Sequence, residues 1–122
     1  MRDTRDLTIT NAVVWGGEMS SITGGVRIIG GTITEIGADI SRGEIDLDPQ
    51  GRTVLPGLID AHFHAYATGL HGTDGPLSYV ALRAAERLGS ALRRGFTTVR
   101  DVAGGDPGLA RAIREGVVAS PR

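Results

Sequence analysis

The sequence predicts an α/β fold, with a small β-sandwich portion over residues 1–56 followed by parallel βα units over residues 57–122. Three observations carry this. Short β-rich runs follow one another up to Pro56, the apolar period becomes helical after Pro76, and the order beyond Gly57 is strand, helix, strand, helix.

In the first part, Leu7-Thr8-Ile9-Thr10 alternates and Ala12-Val13-Val14-Trp15 runs apolar, with Trp15 expected in the core. Val26-Arg27-Ile28-Ile29 and Thr32-Ile33-Thr34-Glu35-Ile36 flank Gly30-Gly31, a hairpin signal because both turn residues can take positive φ. Glu44-Ile45-Asp46-Leu47-Asp48 alternates again before a turn at Pro49-Gln50-Gly51. About 50 residues is marginal for a self-sufficient sandwich, so partner strands from elsewhere are expected.

In the second part, Leu58-Ile59-Asp60-Ala61-His62-Phe63-His64 reads as a buried strand entered through Pro56-Gly57. A helix is expected from about Pro76 to Arg94 on an apolar stripe of Leu77, Val80, Ala81, Ala84, Leu88, Ala91 and Leu92. Thr73 or Asp74 can cap it, Pro76 suits its first turn, and Arg93-Arg94-Gly95 ends it. Its arginines Arg83, Arg87, Arg93 and Arg94 read as a solvated face. Phe96 to Val102 is the next strand. Asp106-Pro107 starts a second helix that stops at Gly116, and Val117 to Arg122 reads as the approach to a further strand. Two βα units do not close a barrel, which needs eight strands and roughly 250 residues.

Composition removes several classes of function. A net charge of −1 advertises no basic face for nucleic acid or an anionic membrane. With no cysteine, disulfides, thiolate zinc sites and a cysteine nucleophile are excluded, and any metal must take its ligands from His, Asp, Glu or backbone oxygen. All 13 basic residues are arginine. No apolar run approaches about 18 residues and the charged N-terminus leads into no apolar segment, so a soluble, cytoplasmic protein is expected.

The chemistry concentrates in His62 and His64. Residues two apart on a strand share a face, so both imidazoles can reach one ion at about 2.0–2.1 Å, while Phe63 points the other way. The spacing alone also suits a half-exposed histidine pair on an edge strand. A buried apolar strand has no packing use for Asp60, His62 and His64 on one face, however, and burying them unpaired is costly. That favours a metal. Asp60, one step deeper, fits a supporting role, orienting an imidazole or a bound water.

Other residues are weaker candidates. His71 sits in the loop after this strand, where substrate contact is conceivable and plain exposure is the simpler reading. Of Arg100 and Asp101, one faces inward; a site role competes with an ion pair or loop anchor. Gly104-Gly105-Asp106 could offer N–H groups to an anion, but its glycine spacing matches no phosphate loop and a plain turn is the better reading.

The run Val54-Leu55-Pro56-Gly57-Leu58-Ile59-Asp60-Ala61-His62-Phe63-His64 resembles the signature of the amidohydrolase superfamily. The run Arg94 to Gly105 is similar to the next strand and loop in its imidazolonepropionase-like and Xaa-Pro dipeptidase-like branch, and the Gly30-Gly31 hairpin resembles the small β-domain that precedes the barrel. The resemblance implies a (β/α)₈ TIM barrel hydrolase, of which residues 57–122 form the incomplete start and residues 1–56 part of a composite β-sandwich completed by strands from the far C-terminus. It implies His62 and His64 as ligands of one or two divalent ions, expected to be Zn²⁺. The family's remaining ligands, a carboxylated lysine, two histidines and an aspartate, come from later strands, and no residue here takes the catalytic role.

The expected function is therefore metal-dependent hydrolysis of amide or other C–N bonds, with dipeptides or N-acyl amino acids as substrates. The partners expected are a small-molecule substrate and the remainder of the barrel, as a C-terminal continuation or a second chain; neither nucleic acid nor membrane is a partner, and a homo-oligomer is allowed. The alternatives are a catalytically inactive fragment or split-protein half, and a small non-catalytic metal-binding module.

Overall fold

A computed structural model of the chain describes residues 5–17, 20–67, 69 and 74–122. They form two compact units, Met1–Pro56 and Gly57–Arg122, and the class is α/β with a β-rich N-terminal region.

The first unit is one five-stranded sheet. Its strands are β1 (Asp6–Trp15), β2 (Ser21–Ile29), β3 (Thr32–Gly37), β4 (Ile45–Leu47) and β5 (Thr53–Val54), in the order β3-β2-β1-β4, with β5 also on β1. The two short runs expected at the start are one strand bent by a bulge. An extra residue enters between Ile9 and Ala12 relative to β2, and Asn11 takes φ 49°, a left-handed conformation that asparagine tolerates. The Gly30-Gly31 turn forms as expected, with φ 59° and 79° and Ile29 opposite Thr32. β4 and β5 run parallel to β1, so residues 45–54 return to the first strand of the chain.

Ala12, Val14 and Val26 form the core of this unit with Ile9, Ile28 and Val54 around them. The buried Thr8 hydroxyl accepts a hydrogen bond from the Gly43 N–H at 2.5 Å. Trp15, expected inside, is 40% exposed because it lies on the opposite face of β1 from Ala12 and Val14. Among its described residues, the first unit contains no second sheet.

The second unit holds β6 (Leu58–Phe63), α1 (Leu77–Arg93), β7 (Phe96–Asp101) and α2 (Pro107–Arg114). β6 and β7 pair in parallel. Arg122 then donates its N–H to the Thr97 carbonyl and accepts from the Val99 N–H, the bonds of a parallel bridge that lays the last residues along β7.

α1 starts one residue later and ends one residue earlier than expected. Pro76 is its N-cap with no side-chain cap bond, and Gly95 follows its end at φ 93°; Thr73 lies outside the described residues. Its buried face is Val80, Ala84, Leu88, Gly89 and Ala91, whereas Leu77, Ala81 and Leu92 are exposed. α2 is capped by Asp106, whose carboxylate accepts from the Gly108 and Leu109 N–H groups, with Pro107 in the first turn. The core here is Ala65, Tyr66, Val80, Ala84 and Leu88 against Phe63, Val99, Leu109 and Ile113. Each such aliphatic side chain contributes about 1.5–3 kcal/mol on burial. β6 itself is less buried than expected: Leu58 and Ile59 are 44% and 71% exposed.

Candidate metal centre

The last residues of β6 carry the site. The Nε2 atoms of His62 and His64 stand 3.1 Å apart, with ring centroids at 5.0 Å and planes at 63°. Phe63 turns the other way and packs against the core formed with α1. His62 is exposed and His64 half-buried.

The expected alternation from Asp60 to His64 is broken. β6 has one extra residue relative to β7 between Asp60 and Phe63. Asp60 accordingly lines a cleft of about 290 Å³ beside Phe63, Arg87 and Ser90, and its Oδ1 accepts the backbone N–H of His62 at 3.0 Å. It acts on the His62 main chain and not on an imidazole.

Two further side chains, Arg87 and Asp101, hold this segment. Arg87, read as solvated, is half-buried and donates from Nη1 to the His64 carbonyl at 2.8 Å. A signal was available: Arg87 lies seven residues after Val80 and four before Ala91, on the buried stripe. Asp101 takes the loop-anchor role. Its Oδ2 accepts from the Ala65 N–H at 3.3 Å and its Oδ1 from the Ala103 N–H at 3.1 Å, the second being an Asx turn that its position two residues before Ala103 allows. Arg100 is exposed.

Behind the site, the buried Tyr66 hydroxyl donates to Asp106 Oδ2 at 2.6 Å. Burial pushes the Tyr66 phenol up to about 12, and the same hydrogen bond with two backbone N–H groups lowers Asp106. The α2 N–H groups that an anion could have used are thus taken by Asp106, and the chain bends at Gly104. His71 lies outside the described residues.

The donor chemistry fits a divalent cation. Two nitrogens each about 2.05 Å from one ion, at a tetrahedral angle, are about 3.3 Å apart, close to the observed 3.1 Å. Among the described residues no group of three or more His, Asp or Glu is placed to hold a metal.

The sequence pattern of the amidohydrolase family matches residues 53–122. A 5-methylthioadenosine/S-adenosylhomocysteine deaminase of Archaeoglobus fulgidus is 40% identical over 68 residues, covering 55% of this chain and 16% of that protein. A prolidase solved with N-methylphosphonate-L-proline superposes with a TM-score of 0.81 at 30% identity, over 96% of this chain and 30% of its own. A Xaa-Pro dipeptidase solved with methionine in its active site gives 0.79 at 27%, over 96% and 32%. The chain therefore spans less than a third of the length of these relatives.

Proposed function

This chain belongs to the amidohydrolase family, and from that premise we propose that it is the N-terminal part of a metal-dependent hydrolase of amide or other C–N bonds. The observation that carries the reading is the His62–His64 pair at the end of β6, with its two Nε2 atoms at the separation that one shared ion requires. The parallel β6-α1-β7-α2 order, followed by Arg122 alongside β7, supports the start of a (β/α)₈ barrel. The sheet of residues 1–56 is then part of a composite β-sandwich.

In this reading His62 and His64 hold a divalent ion, taken to be Zn²⁺. When bound, the ion supplies Lewis acidity and lowers the pKa of water. The work of this chain's own residues is positional. Asp60 holds the His62 main chain, and Phe63 seats the strand on α1. His71 is kept as a substrate contact. No residue of this chain takes the general acid–base role.

Dipeptides ending in proline and N-acyl amino acids are the proposed substrates, supported by the prolidase and Xaa-Pro dipeptidase likenesses. The deaminase likeness also concerns a C–N bond, so an amino-purine panel belongs in the same assay. The test is to read the coding sequence past Arg122 and assay the product with Zn²⁺. The expected continuation supplies a lysine, two histidines and an aspartate near strand ends, and C–N hydrolysis that the 122-residue chain alone lacks. Turnover by this chain alone overturns the partial-site reading. A continuation without those ligands favours the inactive-fragment alternative.

A further inference from the structure

Arg87 and Asp101 grip one peptide group from its two ends. Arg87 Nη1 donates to the carbonyl of His64 at 2.8 Å, and Asp101 Oδ2 accepts the N–H of Ala65 at 3.3 Å. That carbonyl and that N–H belong to the same planar unit, so holding both fixes its orientation. The peptide group before His64 is held as well, since the Phe63 carbonyl accepts the Val102 N–H at 3.1 Å. With both flanking planes fixed, the direction of the His64 Cα–Cβ bond follows.

The two grips come from different elements. Arg87 is set by α1, whose Val80, Ala84 and Leu88 pack against Phe63. Asp101 ends β7 and is tied to its own loop through Ala103. A helix and a neighbouring strand therefore converge on the main chain of a single histidine. We propose that Arg87 and Asp101 are positioning residues for His64, aiming its imidazole at a divalent cation shared with His62. The proposal rests on the metal reading of His62 and His64. It separates from a mere helix-to-sheet fastening because it ties these two side chains to the behaviour of one imidazole.

The test titrates Zn²⁺ into the full chain and reads the imidazole nitrogens of His62 and His64 by long-range ¹H–¹⁵N correlation. In the unaltered chain both imidazoles move together and saturate at one Zn²⁺ concentration. Arg87→Met and Asp101→Asn are expected to raise that concentration about tenfold, with His64 losing its response before His62, while Arg87→Lys stays within about twofold. Arg87→Met and Asp101→Asn variants that bind as the unaltered chain does overturn the proposal. His62→Ala and His64→Ala are run alongside: Zn²⁺ binding undiminished in both overturns the metal reading beneath it, a different result. Far-UV circular dichroism checks each variant's fold, and if Arg87→Met fails to fold, the Asp101→Asn titration decides.

Discussion

The Nε2 atoms of His62 and His64 share a 3.1 Å contact. In the proposed reading these two nitrogens would hold one divalent ion. Replacing either histidine by alanine is expected to weaken Zn²⁺ binding by more than about a hundredfold, beyond the loss typical of groups that only support a ligand. Isothermal titration of the two variants measures it; binding at full strength by either would remove the pair from the site.

Leu88 is 3% exposed in the core between α1 and the β6-β7 sheet. Leu88→Ala is expected to destabilise the second unit by about 2–4 kcal/mol, from lost burial plus the cavity left behind. Urea denaturation read on unit-specific amide signals checks this, and an unchanged midpoint for residues 57–122 would contradict it.

A Cβ on Gly57 would overlap the Thr97 side chain at Oγ1 and Cγ2. Gly57→Ala therefore forces β6 and β7 apart where the histidine strand begins, at an expected cost of about 1–3 kcal/mol. In a Thr97→Gly background the same change should cost much less. A double-mutant cycle by chemical denaturation reads the coupling, and strict additivity would show that the clash is not the cause.

Stability should depend on pH through Tyr66 and Asp106, which share a hydrogen bond. Tyr66 is raised from 10.0 to about 12, so its contribution is complete below pH 10 and is lost as pH climbs towards 12. Asp106 is lowered from its ordinary 3.8, so its contribution is present above that value and is lost as pH falls through the lower folded one. Tyr66→Phe should cost about 1 kcal/mol near neutrality and flatten the alkaline limb. Melting temperatures across pH 2–12 test both limbs, and an alkaline limb unchanged in Tyr66→Phe would assign it to other groups.

What could be read from the sequence follows from how local each signal is. The Gly30-Gly31 hairpin, the Asp106-Pro107 helix start and the His62–His64 spacing depend on residues within a few positions of one another, and all three appear in the structure. The strand approach at Val117 to Arg122 was legible too, and Arg122 does pair with β7. Long-range facts were harder. That residues 45–54 return parallel to β1 depends on pairing across some 40 positions. The contact of Arg87 with His64 hides inside a charged residue at an apolar position of the α1 stripe. The bond from the His62 N–H to Asp60 depends on the bulge in β6, which strict alternation does not anticipate. Trp15 shows the general hazard: a large apolar residue says that a strand is near, not which face it is on.

Among the described residues β1 precedes every strand that it pairs with. Its partners β4 and β5 lie at Ile45–Leu47 and Thr53–Val54, so the open edge that will receive them waits until Val54 has left the ribosome. During that interval β1, β2 and β3 can form only a three-stranded ribbon, with the Leu7–Ile9 backbone groups meant for β4 facing solvent. The pairing of β1 with β4 and β5 is therefore the most non-local in the first unit and carries its largest loop-closure cost, and it lies in the chain just ahead of the strand bearing His62.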